Sequence, residues 1–342
     1  MPAGHAILCL MKAVIPVAGT GIRLRPLTYT QPKPLIPVAG KPIISFIVDQ
    51  LIELGVLDFV FIIGYLGEKI REYIERTYPQ LNTAFVTQEE RLGSAHAIWL
   101  ARDFYADADE VIIFFGDAII DADLGAFKDC KTTCIGVREV DDPRQFGVVE
   151  HDIDGNIRSL IEKPKIPMSN VAMVGCYKVR EVKLLIKACA YNMENDIKSI
   201  GEYPLTDALN RMLEWGTTLT KIPVDNWFDC GRREVLLETN AIFLDRDGFA
   251  TDDPPPYDNS IIIHPVHIGP DCDISNSIVG PYVTLGANTK LEHAIVADSI
   301  IGEFATIHDI VLRNSVVGND ASIGGLRQSL NIGDNTEIDF ST

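Results

Sequence analysis

From Ile262 onward, apolar residues recur every six positions, a period that neither an α-helix nor an ordinary strand produces. Ile262, Ile268 and Ile274 form one run, and Val279, Leu285 and Leu291 a second. Ile295, Ile301 and Ile307 follow, then Val311, Val317 and Ile323, with Gly at 269, 280, 286, 302 and 318. A hexapeptide β-helix has this spacing: each short strand adds one apolar residue to an inner stack, and the chain then turns at Gly or Asn. A β-helix domain is therefore expected over residues 260–330, with small phase shifts between the four runs. Its open end and flat faces predict pairing with other chains, so a homo-oligomer is expected. The stretch before it, "DGFATDDPPPYDN" (247–259), has three consecutive prolines and reads as a linker.

Residues 11–247 follow a different rule. "KAVIPVA", "DFVFIIG", "TAFVT" and "EVIIFFGD" read as strands. Between them, "PIISFIVDQLIELG", "EKIREYIERTY" and "SAHAIWLARDFY" read as helices. Near-continuous apolar strands separated by helices predict a mainly parallel sheet covered on both faces. Beyond Asp117, "FGVVEHDIDGNIRSLIEKP" carries an Asp-Gly turn between strand-like runs and predicts a hairpin. "YPLTDALNRMLEWG" predicts one more helix.

The chain has 342 residues, 46% of them apolar, enough for two folded domains. No apolar run approaches the roughly 20 residues of a membrane span. "MPAGHAILCL" lacks the features of a signal peptide, and Met11 is the expected start of the folded chain. The seven cysteines contain no C-x-x-C pair, which suits a reducing, cytoplasmic setting; Cys130 and Cys134 are expected to be idle thiols rather than metal ligands. A net charge of −18 argues against nucleic acid or an anionic membrane as partner. The charge is unevenly spread: none of the 48 acidic residues precedes Asp49, whereas Lys12, Arg23, Arg25, Lys33 and Lys41 all do. An acidic chain with one long carboxylate-free segment is expected to bind an anion there.

That segment contains "VAGTGIRLRPL" (17–27), a glycine loop that matches neither the dinucleotide nor the P-loop template. Pro26, Pro32, Pro34 and Pro37 exclude a following α-helix, so the loop is expected to stay extended. Without a helix dipole, the positive charge must come from side chains. Arg23 offers a planar fork and Lys33 a mobile point charge, and a polyphosphate is the natural guest.

These residues resemble the sugar-1-phosphate nucleotidyltransferases, a family that includes the glucose-1-phosphate thymidylyltransferases and uridylyltransferases. The likeness continues in order through "GSAHA" (93–97), "GD" (116–117), "FGVVE" (146–150), "EKP" (162–164) and "WFDCG" (227–231). It implies a Rossmann-like nucleotidyltransferase domain followed by a left-handed parallel β-helix, and direct displacement at the α-phosphorus of a nucleoside triphosphate (dTTP or UTP) by a sugar-1-phosphate. On the resemblance, Arg23 neutralises the leaving pyrophosphate and Lys33 the α-phosphate, while Ala18, Gly19, Thr20 and Gly21 hold the triphosphate. Gln88, Gly93 and Ser94 lie against base and ribose; a Gln amide offers donor and acceptor together to a pyrimidine edge. Glu162, Gly147, Asn170 and Gly175 form the sugar pocket, and Lys163 bridges the sugar phosphate. Asp117 and Asp229, each ending a strand-like run, are expected to hold Mg²⁺.

Each residue also has a plainer reading: Gly147 and Gly175 as turn glycines, Asn170 as a turn residue, Gln88 as a solvated polar group, His96 as structural, and each Asp as a turn cap. Ala18 stands where many thymidylyltransferases have Gly, and Pro34 where they have Gln; Ala118 and Cys230 also depart from the usual pattern. These departures leave the nucleotide open, with mannose-1-phosphate guanylylation as an alternative. A non-catalytic nucleotide-sugar-binding assembly protein is a second. A third is acyl transfer on the β-helix through His264, His267, His293 or His308.

Overall fold

A computed structural model describes residues 10–325. Residues 1–9, and the part of the expected β-helix beyond residue 325, lie outside the described residues. The chain divides into two compact units: residues up to Pro37 with Lys41–Leu236, and Val38–Gly40 with Leu237 onward.

The chain opens with β1 (Met11–Val17), β2 (Pro37–Val38), β3 (Lys41–Pro42), α1 (Ile43–Glu53), β4 (Asp58–Ile63), α2 (Gly67–Thr77) and β5 (Asn82–Thr87). It continues with α3 (Ser94–Leu100), β6 (Glu110–Phe114), β7 (Ile119–Asp121), α4 (Leu124–Asp129) and β8 (Thr133–Glu139). Next come β9 (Gly147–His151), β10 (Ile157–Glu162), β11 (Val171–Val179), α5 (Val182–Glu194), α6 (Leu205–Glu214), β12 (Leu219–Pro223) and β13 (Asn226–Phe228). One sheet runs in the order β10-β9-β11-β6-β1-β4-β5, with β8 on β11 and β12 on β8. β1, β4, β5 and β6 are parallel, as are β8 and β12. β11 runs antiparallel to β6, β8 and β9, and β9 and β10 form the expected hairpin.

Alternate side chains of a strand leave opposite faces of a sheet, and here both faces are dry. Val14 packs with Val60, Ile62, Val111 and Ile113 on one side. Ala13, Ile15 and Val17 pack with Phe59, Phe61, Ile63, Ile112 and Phe114 on the other. This double burial is why the strands read as unbroken apolar runs. Helices α3, α5 and α6 contribute to the first core and α1 and α2 to the second.

The proline-rich stretch departs from expectation. It is not extended but forms three single 3₁₀ turns, Ile22–Leu24, Leu27–Tyr29 and Lys33–Leu35. A 3₁₀ turn needs only an i→i+3 bond, and Pro26, Pro32 and Pro34 occupy caps or first-turn positions where no N–H is required. The helix expected over "SAHAIWLARDFY" is also shorter: it ends at Leu100, and Arg102–Phe104 is a separate 3₁₀ turn.

In the second unit, three ladders of parallel strands stack coil upon coil as a left-handed parallel β-helix. The inner stack holds Val279, Leu285, Leu291, Ile301 and Ile307, all at most 1% exposed. Two residues assigned to that stack by the six-residue spacing lie outside it: Ile295 and Val311 are 40% and 62% exposed. Val296 and Leu312 align with Ile262 and Val279 instead. Successive coils along that ladder advance by 17, 17 and 16 residues, from 262 to 279, 296 and 312. Each coil is therefore shorter than three full six-residue steps, and a residue lost at a corner moves the next strand's phase.

The corners explain themselves. Left-handed residues recur in columns: Asn259, Asn276, His293 and Asp309; Asp271, Asn288, Phe304 and Asp320; Tyr282, Asp298 and Asn314. Most are Asn or Asp, the non-glycine residues that best tolerate positive φ. At Gly286 a Cβ would sit 2.5 Å from the Glu303 nitrogen of the next coil, so only glycine fits. Segment 247–259 also belongs to this unit: the Thr251 N–H donates to the Val266 carbonyl and the Ile268 N–H to the Thr251 hydroxyl.

The phase is testable by urea unfolding. Leu291→Ala, in the inner stack, is expected to cost about 2–5 kcal/mol. Val311→Ala, on the outer face, should stay within about 0.5 kcal/mol of the parent. Equal costs would place Val311 inside and refute the register.

Candidate active site

The glycine loop leaves the carboxyl end of β1, where parallel sheets place their ligands. Ala18 is accommodated by Gly64: a Cβ on Gly64 would lie 2.9 Å from the Ala18 Cβ. Gly21 has φ 62°, and its carbonyl accepts a hydrogen bond from the Thr28 hydroxyl at 2.9 Å. That turn folds the first 3₁₀ segment back and presents Arg23 and Lys33 to the loop's mouth.

Two adjoining clefts result. The larger, about 470 Å³, is lined by Ala18–Gly21, Lys33, Gln88, Gly93 and Ser94. The smaller, about 230 Å³, is lined by Gly147, Glu162, Lys163, Gly175, Thr206 and Asp229. Arg23, Ser94, Phe115 and Asp117 line both.

Charge is concentrated where the clefts meet. The Lys33 side chain is only 7% exposed, and its ammonium lies 3.4 Å from Asp117 Oδ2 and 3.6 Å from Asp229 Oδ1. The Arg23 guanidinium is 3.7 Å from Asp229 Oδ2. Pairing of β13 with β7 brings the two aspartates near each other: Phe228 lies opposite Ile119, so Asp229 continues toward Ala118, the neighbour of Asp117. Gly231 completes the arrangement, because a Cβ there would lie 2.6 Å from Arg23 Nη2 and 2.9 Å from Asp229 Oδ1.

In the smaller cleft, Glu162 accepts from the Thr206 hydroxyl at 2.6 Å through Oε2, and its Oε1 is 3.7 Å from the Lys163 ammonium. Lys163 holds a positive φ of 43°, a conformation of order 1–3 kcal/mol above the usual one for a residue with a Cβ. Its N–H is bonded to the Phe146 carbonyl, which fixes the turn. Phe146 meets Trp227 edge-on with ring centres 4.6 Å apart.

Every residue that the resemblance assigned to nucleotide, sugar or metal lines one of these clefts except Asn170; the histidines named for acyl transfer, His264, His267, His293 and His308, line neither. Asn170 is exposed, and its carbonyl accepts the Val140 N–H where β8 and β11 begin to pair. It stands five strand steps from Gly175, roughly 16 Å. Thr206, Gly231, Phe115 and Tyr177 line the clefts without having been singled out. Thr206 sits at the start of α6 with no charge or glycine pattern to mark it; Gly231 was visible only as the end of "WFDCG".

Among the described residues no cluster of three or more His, Cys, Asp or Glu is placed to hold a metal. The donor set at the junction is two carboxylates converging on one cation, open to a cleft. Magnesium takes such a set, filling its other positions with water and phosphate oxygens.

The family described as nucleotidyl transferase matches residues 12–246. The chain is 30% identical to the low-salt glycan biosynthesis nucleotidyltransferase Agl11 of Haloferax volcanii, over 92% of this chain and 94% of that one. It is 28% identical to a glucose-1-phosphate thymidylyltransferase of Streptomyces griseus, over 93% and 90% respectively. A Bacillus anthracis structure assigned as a glucose-1-phosphate thymidylyltransferase superimposes with TM-score 0.59 and 29% identity, over 69% of this chain and 96% of that one. The chain belongs to the nucleotidyl transferase family, and the resemblance to sugar-1-phosphate nucleotidyltransferases read from its motifs holds.

Gly231→Ala tests the junction. The new methyl group presses on the Arg23 guanidinium and the Asp229 carboxylate rather than on backbone, so the variant should melt with the parent. Its turnover should fall roughly tenfold to a hundredfold, the loss of one charge-assisted contact. Unchanged turnover would show that the Arg23–Asp229 pair does not act from this position.

Proposed function

We propose that this enzyme transfers a nucleotidyl group from UTP or dTTP to a sugar-1-phosphate, with glucose-1-phosphate the foremost candidate, releasing pyrophosphate. The observation that carries this reading is the pair of clefts meeting at Arg23, Lys33, Asp117 and Asp229. One cleft suits a triphosphate and the other a sugar phosphate. Relatives named for thymidylyl transfer in Streptomyces and uridylyl transfer in Haloferax volcanii support the choice of nucleotides.

In this reading the backbone N–H groups of Gly19, Thr20 and Gly21 cradle the β- and γ-phosphates, and Arg23 offsets charge on the departing pyrophosphate. Lys33 stands at the α-phosphate. Lys163 draws the sugar phosphate into the smaller cleft, and Glu162 Oε1, beside the Lys163 ammonium, accepts from sugar hydroxyls while Thr206 holds Oε2. The reaction is in-line displacement between two anions, so positioning and charge neutralisation supply most of the acceleration. Asp117 and Asp229 would hold Mg²⁺, which when bound offsets the charge of the phosphate oxygens. No helix among the described residues is long and apolar enough to cross a membrane.

A matrix of five triphosphates against several sugar-1-phosphates, scored by pyrophosphate release, tests the reading. UTP or dTTP with glucose-1-phosphate should lead. Preference for GTP with mannose-1-phosphate would instead establish guanylyl transfer, and no release with any pair would favour the non-catalytic alternative. Lys163→Ala should raise the KM for the sugar-1-phosphate roughly tenfold or more while leaving that for the triphosphate nearly unchanged. Equal effects on both would remove Lys163 from the sugar-phosphate site.

We also propose that the second unit mediates self-association. Ile261, Ile278, Ile295 and Val311 form an outward ladder in register, and three of them are 58%, 40% and 62% exposed. Such an apolar sheet face marks an interaction surface. Ile295→Lys combined with Val311→Lys should lower the oligomeric mass measured by light scattering. An unchanged oligomer would place the interface elsewhere.

A further inference from the structure

Gln88 lines the larger cleft, is 7% exposed, and its amide is not free to turn. Nε2 lies 3.1 Å from the Gly93 carbonyl oxygen and 3.1 Å from His96 Nδ1. A carbonyl can only accept, so the nitrogen end of the amide must face Gly93; turned over, two oxygens would meet. The second amide hydrogen then points to His96. His96 Nδ1 must therefore be the bare, accepting nitrogen, with the ring neutral and its proton on Nε2. Burial pushes the His96 pKa down, outweighing the Glu90 carboxylate, and the ring also hydrogen-bonds the Glu90 backbone.

This changes what Gln88 offers. Read from the sequence, its amide has both donor and acceptor for a base. In the structure both hydrogens are engaged within the protein, and only Oε1 remains. Gly93 is closely held: its φ is 116°, a Cβ on it would lie 2.4 Å from the Tyr203 carbonyl oxygen, and its own carbonyl also accepts the Ala97 N–H.

We infer that His96 is a positioning residue for base selection, holding Gln88 so that an acceptor alone is presented to the nucleobase. The inference rests on the larger cleft being the triphosphate site. Uracil and thymine carry an N–H at position 3 and guanine at position 1, so each can donate to Oε1. Cytosine and adenine have a bare nitrogen at the equivalent place, and lone pair would face lone pair. The lock thus favours imide-bearing nucleotides over CTP and ATP. It also explains a histidine in an otherwise apolar helix: Nδ1 accepts where an apolar side chain could not.

Two substitutions separate positioning from packing. His96→Leu fills the space but removes the acceptor. His96→Asn can place Oδ1 where Nδ1 stands and accept the same N–H. With purified full-length enzyme, kcat and KM are measured for UTP and CTP at saturating sugar-1-phosphate. His96→Leu should raise the KM for UTP roughly twofold to tenfold with little change in kcat, and narrow the UTP-over-CTP preference similarly. His96→Asn should restore most of both. If the two variants behave alike, or if His96→Leu keeps the parent's preference, the positioning role is overturned. Gln88→Leu is the control for the cleft: an unchanged preference would show that the base is read elsewhere, and the inference falls with that reading. The tautomer of His96, observed by nitrogen–proton NMR in the substrate-free protein, tests the contact separately. A proton on Nδ1 would overturn it whatever the kinetics show.

Discussion

The Lys33 ammonium, nearly buried between Asp117 and Asp229, is the contact on which the rest of the site depends. A charged lysine is tolerated out of water only when paired, and here the partners come from two distant parts of the chain. One follows the central strand β6; the other follows β13, which reaches the same edge only by pairing with β7. The two carboxylates thus sit on short turns that the β7–β13 strand pair anchors side by side. The proposed reaction, displacement of one anion by another, would need that rigidity, because it tolerates little error in position.

Around that junction the sheet provides rigidity and the glycines provide approach. The strands that end at the site are packed against two separate cores, so their ends move little. Gly64, Gly116 and Gly231 each stand where a side chain would strike a neighbour: Ala18, Val17 and Arg23 respectively. Their role is subtractive. They let the loop, the turn after β6 and the second aspartate motif approach one another closely.

The smaller cleft follows a different principle. Lys163 adopts a left-handed backbone at the end of a hairpin strand, and Glu162 beside it is tied to Thr206 on a helix. A strained residue held between two hydrogen-bonded anchors is a common way to aim a side chain. The same logic recurs in the larger cleft, where Gln88 is aimed by Gly93 and His96. In both places one end of a polar side chain is engaged by the protein so that the other end is left for the ligand.

Much of this was written in local sequence. The absence of carboxylates before Asp49, the glycine loop and the two aspartates at strand ends pointed to an anion site because charge and backbone freedom are properties of residues. The period change near residue 260 announced the β-helix for the same reason: repeated coils impose a repeated pattern. What sequence could not decide was anything set by contact across the chain. Asn170 has the chemistry for a sugar pocket but lies at the wrong end of β11. Ile295 and Val311 keep the six-residue spacing, yet coil lengths of 17 and 16 residues turn them outward. Thr206, Gly231 and His96 matter only through partners between 8 and 208 residues away, and no local pattern encodes such a distance. Residue type determined which chemistry this protein can perform; tertiary packing decided which of the eligible residues stand close enough to perform it.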